Sequence, residues 1–150
     1  MQSCETIREM TQNDLSDVMQ IERGNHPYPW SSELMSSCFK DNYSSFVYEK
    51  DEKIIGYLIS TFAADESNIL NVCVERQYRN TGIAKRLVNQ AIKFCATSGI
   101  KSIFLEVRES NSAAINVYSN SGFVEVGVRK NYYPHQAGKE DAIVMALELL

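Results

Sequence analysis

At 150 residues the chain suits one domain with a sizeable core, and its 44% hydrophobic and 23% charged content is ordinary for a globular protein. The net charge of −4 argues against a general nucleic-acid binder with a basic face, yet it allows an anionic ligand held by local amides and suits a basic peptide. The cysteines Cys4, Cys38, Cys73 and Cys95 form no C-x-x-C pair, and no signal peptide, transmembrane run or lipidation motif is found. A cytoplasmic location without membrane association is therefore expected.

Cys4 to Glu9 reads as a short strand. A helix follows from about Gln12 to Arg23, with Thr11 and Asp14 as a capping-box variant and Leu15, Val18, Met19 and Ile21 as its apolar positions. Pro27 and Pro29 keep Gly24 to Trp30 irregular, and Ser31 can cap a second helix reaching about Lys40. Two strands, Ser45 to Glu49 and Ile54 to Phe62, are joined by the polar turn Lys50 to Lys53. The next strand, Asn68 to Val74, leads through the polar loop Glu75 to Thr81 into a long helix ending near Ser98. Ile83, Leu87, Val88, Ala91, Ile92 and Cys95 recur at the three- and four-residue spacing of one buried face. Gly99 sits where a left-handed C-cap is favoured. Ser102 to Arg108 is a strand, Ser112 to Ser121 a short helix, and Phe123 to Asn131 and Ala142 to Leu149 two final strands.

The order is β-α-α-β-β-β-α-β-α-β-β. The strand–helix–strand unit from Asn68 through Val107 predicts a parallel pair with a right-handed crossover. The hairpins predict antiparallel neighbours, so a single α/β domain with a mixed sheet is expected over residues 1–150.

The loop Arg79-Asn80-Thr81-Gly82-Ile83-Ala84 offers backbone N–H groups in front of a helix N-terminus, where the partial positive charge favours a phosphate. Gly82 would let the ligand approach closely. Neither a Walker loop nor a Rossmann G-x-G-x-x-G occurs, and the short pattern R-x-x-G-x-A also fits any strand–turn–helix junction with a glycine. His26 and His135 lie next to prolines at a spacing that matches no metal-ligand pattern, and no metal is expected.

The run LEVRESNSAAINVYSNSGF, with RNTGIA before it and RKNYYP and EDAIVMAL after it, resembles the GCN5-related N-acetyltransferases, the GNAT superfamily. The resemblance extends over the whole chain, including His26-Pro27-Tyr28-Pro29-Trp30-Ser31, and is greatest to the branch that acetylates the N-terminal alanine of a small-subunit ribosomal protein. It implies a GNAT-like, mostly antiparallel central sheet flanked by helices, with a splayed parallel pair forming the acetyl-CoA cleft. It also implies that the amides from Arg79 through Asn80, Thr81, Gly82, Ile83 and Ala84 to Lys85 hold the pyrophosphate. Val72, Cys73 and Val74 would pair through their backbone with the pantetheine arm, and Asn111 would bond the same arm. Glu106 matches the general base and Tyr118 the general acid. Tyr132 and Tyr133 match a hairpin that clamps the acceptor, while Tyr28 and Trp30 would shape the peptide entrance or pack beneath the helix. Asn80-Thr81 and Ala84 depart from the basic residue, glutamine and second glycine common in the family.

The chemistry asks for these residue types. An α-amine with a pKa of about 8 is mostly protonated at neutral pH and must lose a proton before attacking a thioester. A positioned carboxylate can take that proton, and a phenol near the sulfur can protonate the departing thiolate, each contributing about 100- to 10,000-fold. No Cys–His pair suggests a covalent route. The expected partner is a protein N-terminus, a ribosomal protein by resemblance, met by a monomer without direct nucleic-acid contact. Two other readings stay open: a GNAT enzyme acting on a small amine or a lysine side chain, and a CoA-binding sensor without turnover.

Overall fold

The element order expected from the sequence is the order found in the computed structural model, which describes residues 4–135 and 138–149. The strands are β1 (Glu5–Glu9), β2 (Phe46–Lys50), β3 (Lys53–Ala63), β4 (Glu66–Val74), β5 (Ser102–Arg108), β6 (Val124–His135) and β7 (Gly138–Glu148). The helices are α1 (Leu15–Asn25), α2 (Ser32–Ser36), α3 (Ile83–Thr97) and α4 (Ser112–Asn120). They build one seven-stranded sheet in the order β1-β2-β3-β4-β5-β7-β6, and only β4 and β5 pair in parallel.

The central strand β3 is buried on both faces, as its run Ile54, Ile55, Tyr57, Leu58 and Ile59 requires. On one face α3 sets Ile83, Leu87, Val88, Ala91 and Cys95 against Phe46, Leu58, Ile69, Ile103 and Leu105, and Tyr118 of α4 joins them. On the other, Val18, Met19 and Ile21 of α1 and Met35 of α2 meet Val47, Tyr57, Ile59 and Cys73. Cys73 and Cys95 are buried members of the two faces, as their apolar positions indicate.

The capping box forms: Thr11 N donates to Asp14 Oδ2 at 2.8 Å, and a single 3-10 turn, Gln12–Asp14, leads into α1. Ser31 caps α2 by accepting from Leu34 N at 3.1 Å. That helix stops at Ser36 instead of reaching Lys40. The cause is local, because Ser36 Oγ donates back to Glu33 O and Ser37 Oγ to Leu34 O, so the hydroxyls compete with the helical ladder. Gly99 closes α3 with φ of 78°, the left-handed C-cap. The last two strands are longer than their hydrophobic runs suggest. β6 continues through Tyr132, Tyr133 and Pro134 to His135, beyond an irregularity between Arg129 and Tyr133 where Asn131 takes φ of 54°. Pro134 is tolerated there because β6 is the sheet edge.

Candidate active site

The loop before α3 is built by its backbone. After a 3-10 turn at Arg76–Tyr78, Asn80 and Gly82 both adopt left-handed φ, 62° and 87°, which turns the chain into α3. A Cβ placed on Gly82 meets no protein atom within 4 Å, so the space before the helix is open. The first helical bond runs from Arg86 N to Gly82 O, which leaves the earlier amides of the turn without helical partners. An open approach and a fifteen-residue helix suit a pyrophosphate, while the Arg79 N–H is already taken by Arg76 O at 3.3 Å. The Arg79 side chain is occupied elsewhere: its guanidinium donates to Val74 O at 3.1 Å and to Asn25 Oδ1 at 3.0 Å. Asn25 also donates to Glu75 at 2.8 Å, so Arg79 and Asn25 brace the loop against the end of α1. Lys85 is an exposed cation in the first turn of α3, beside Arg86, whose guanidinium donates to the Tyr48 hydroxyl at 2.7 Å.

Strands β4 and β5 pair from Glu66 opposite Ser102 only as far as Ile69 opposite Leu105. Both continue, β4 to Val74 and β5 to Arg108, so a gap opens alongside Val72, Cys73 and Val74. Glu106 is the first residue of β5 past the last paired one. Its carboxylate forms an ion pair with Arg129, Nε lying 2.9 Å away. The Tyr132 hydroxyl also bonds it, and this bond, more than burial, raises the Tyr132 phenol above its ordinary range. Arg129 lies over the Tyr132 ring at 5.5 Å, and the rings of Tyr132 and Tyr133 meet edge-on at 4.9 Å. Burial, with the nearby Glu106 charge, pushes the Tyr133 phenol up to about 12.

Tyr118 is 8% exposed and packs edge-on against Phe123, ring centres 6.0 Å apart. Burial, helped by Tyr133, raises its phenol well above the ordinary value, so it holds its proton. Asn111 caps α4, its Oδ1 accepting from Ala114 N at 3.1 Å. Burial pushes the Cys73 thiol up to about 11, which keeps it protonated and a poor nucleophile. Among the described residues no cluster of three or more His, Cys, Asp or Glu side chains could hold a metal ion, and no helix is long and apolar enough to cross a membrane.

Two further residues belong to this region although no motif marks them. Glu22 is a buried carboxylate on α1 that accepts from Trp30 N at 2.8 Å, from Asn71 Nδ2 at 2.9 Å and from the Tyr57 hydroxyl, with His26 Nε2 3.4 Å away. It ties the loop between α1 and α2 to the sheet, and it holds Trp30, which packs partly buried against the second core face. Its signal was the spacing Leu15, Val18, Met19, Glu22, which puts it on the apolar stripe of α1. Arg108 shares a face of β5 with Glu106 by the two-residue period, and its guanidinium reaches Tyr28 and Tyr133.

Residues 15–123 match the acetyltransferase (GNAT) family. The chain is 35% identical over 144 residues to the [ribosomal protein bS18]-alanine N-acetyltransferase of Escherichia coli K12, covering 96% of this chain and 97% of that one. It is 35% identical over 137 residues to the protein of that name from Haemophilus influenzae, at 91% and 93% coverage. Among solved structures, the ribosomal-protein-S18-alanine N-acetyltransferase from Escherichia coli superposes with a TM-score of 0.93 at 34% identity, covering 97% of this chain and 94% of that chain. Ard1 from Thermoplasma volcanium superposes with a TM-score of 0.86 at 25% identity, with 97% and 98% covered. The splayed strands, the glycine-led turn into α3 and these likenesses agree, and the chain belongs to the acetyltransferase (GNAT) family.

Proposed function

We propose that this acetyltransferase moves the acetyl group of acetyl-CoA to the N-terminal α-amine of a protein, the acceptor being the N-terminal alanine of a small-subunit ribosomal protein. The observation that carries the reading is the position of Glu106, the first residue beyond the point where β4 and β5 part, with Tyr132 and Tyr133 of β6 around it. The near full-length relatives, which are named for acetylating the alanine of ribosomal protein bS18, support the choice of acceptor.

Bound acetyl-CoA supplies an activated thioester. The amides from Asn80 to Lys85 hold its pyrophosphate in front of α3, and the free edge of Val72, Cys73 and Val74, with Asn111 opposite, aligns the pantetheine arm. Glu106 accepts the proton that the α-ammonium must shed, directly or through a water. Tyr118, kept neutral by burial, returns a proton to the departing thiolate. Attack is direct, since the one thiol on this part of β4 is held protonated. Tyr28, Trp30, Tyr132 and Tyr133 surround the incoming peptide, and the enzyme acts as a cytoplasmic monomer that does not itself touch nucleic acid.

Incubation with acetyl-CoA and a peptide beginning Ala-Arg should add the mass of one acetyl group at the α-amine. A peptide with a blocked N-terminus and a free lysine should stay unchanged, because a side-chain amine with a pKa of about 10.4 needs much stronger deprotonation. The reverse pattern would move the acceptor to lysine. CoA binding without release of thiol from acetyl-CoA would make the chain a sensor.

A further inference from the structure

Arg108 ends β5 at the mouth of the gap, and its side chain is only 25% exposed. Nη1 donates to Pro134 O at 2.7 Å and to Glu140 Oε1 at 3.0 Å. Ser110 Oγ adds a bond to the same Glu140 oxygen at 3.2 Å. Against the opposing effect of burial, these bonds hold the Glu140 carboxyl below its ordinary range, so it stays charged and fixes the guanidinium. Two aromatic rings lie against the guanidinium as well. The guanidinium carbon lies 4.5 Å from the centre of the Tyr133 ring and 5.2 Å from that of Tyr28.

Tyr28 belongs to the loop between α1 and α2, and Tyr133 to β6, the two segments proposed to surround the acceptor peptide. Both rings therefore meet at one side chain, which shares its strand and strand face with Glu106. A guanidinium can donate in its plane and stack through its faces at once, which an ammonium cannot do. We propose that Arg108 is a positioning residue for the acceptor, setting the separation of the Tyr28 and Tyr133 walls relative to the Glu106 carboxylate. The proposal rests on the reading of the chain as a peptide acetyltransferase.

The test compares Arg108→Lys, Tyr28→Leu and the double variant with the unaltered enzyme, using the Ala-Arg peptide at saturating acetyl-CoA. Acrylamide quenching of Trp30, the single tryptophan, reports the loop. Each stacked face is worth a few-fold in affinity, so Arg108→Lys should raise the peptide KM about tenfold. Its kcat should stay within about twofold and its Kd for acetyl-CoA should not move. Trp30 should become more accessible to acrylamide in Arg108→Lys and in Tyr28→Leu alike. Adding Tyr28→Leu to Arg108→Lys should raise KM far less than it does in the unaltered enzyme, the signature of coupled residues. Multiplicative effects, an unchanged KM and quenching, or a joint loss of kcat, acetyl-CoA binding and thermal stability would each overturn the proposal. Should the unaltered enzyme acetylate no peptide, the N-terminal reading fails by itself. The quenching comparison then still decides whether Arg108 holds the Tyr28 loop, and Tyr28→Leu, at a 43% exposed position, decides it even if Arg108→Lys does not fold.

Discussion

A buried phenol is a useful acid because it stays an acid. Tyr118 is wedged between α4 and Phe123, and burial raises its pKa above that of a free tyrosine. The sign is direct: a raised pKa means the protonated donor is the majority form at every pH below that raised value. The kcat of the enzyme–substrate complex should therefore show no alkaline fall from Tyr118 through about pH 9, where a free phenol with a pKa of about 10 would begin to ionise. Tyr118→Phe removes the proton and little else, so kcat should drop about 100-fold or more with an unchanged Kd for acetyl-CoA. Equal loss of both would make Tyr118 a binding residue instead. The motif spanning Leu105 to Phe123 made Glu106, Asn111 and Tyr118 legible in the sequence. Glu22 and Arg108 were not singled out in the sequence, Glu22 lying on the apolar stripe of α1 and Arg108 on the face of β5 opposite Ile103, Leu105 and Val107. A charged residue at such a position is easily taken for a solvated one, because what satisfies it here comes from elsewhere in the chain. Tyr57 and Asn71 serve Glu22, and Glu140 and Pro134 serve Arg108.

At the scale of elements, the proposed pyrophosphate site rests on a few backbone groups of the turn into α3, and Gly82 is the hinge of that turn. Its φ of 87° strains any residue with a side chain, while the space where a Cβ would stand is empty of protein. Gly82→Ala should thus cost about 1–2 kcal/mol of stability from the backbone alone, a fall in Tm of about 2–8 °C for a chain of this size. The methyl would also point into the approach path of a phosphate, so the Kd for acetyl-CoA should weaken by more than the stability loss explains. Calorimetric titration beside a thermal melt separates the two. An unchanged Kd would remove the pyrophosphate from this turn. The strand–loop–helix reading found this turn from spacing alone, because its apolar flanks and polar centre are local. The end of β6, unlike that of α2, was not local. Two serine hydroxyls cut α2 short within its own turn, whereas cross-strand pairing with β7 carries β6 past Asn131 through a proline-bearing segment to His135.

The cleft is a property of the whole sheet. Nothing within Asn68 to Val74 or Ser102 to Arg108 says where their pairing must stop. It stops after Ile69 and Leu105, where β4 shifts its register against β3 so that Leu70 falls unpaired between Ile69 opposite Ser60 and Asn71 opposite Ile59, while β5 stays in register with β7 to Arg108, and the two halves of the sheet diverge. A ligand that spans the gap, from the turn before α3 to the edge of β4 and the start of α4, bonds both halves only in the folded state. Coenzyme A should therefore stabilise the protein by mass action, by about 2.7 kcal/mol at a concentration 100 times its Kd, which raises Tm by about 5–10 °C for a chain of this length. Free CoA and acetyl-CoA should give similar shifts, since the pyrophosphate and pantetheine contacts are common to both. Glu106→Gln should shift as much as the unaltered protein while turning over slowly, because the role proposed for its carboxylate is toward the acceptor and not the cofactor's anchor. A thermal melt at millimolar CoA with no shift in Tm would mean that the opening between β4 and β5 is not where the cofactor lies.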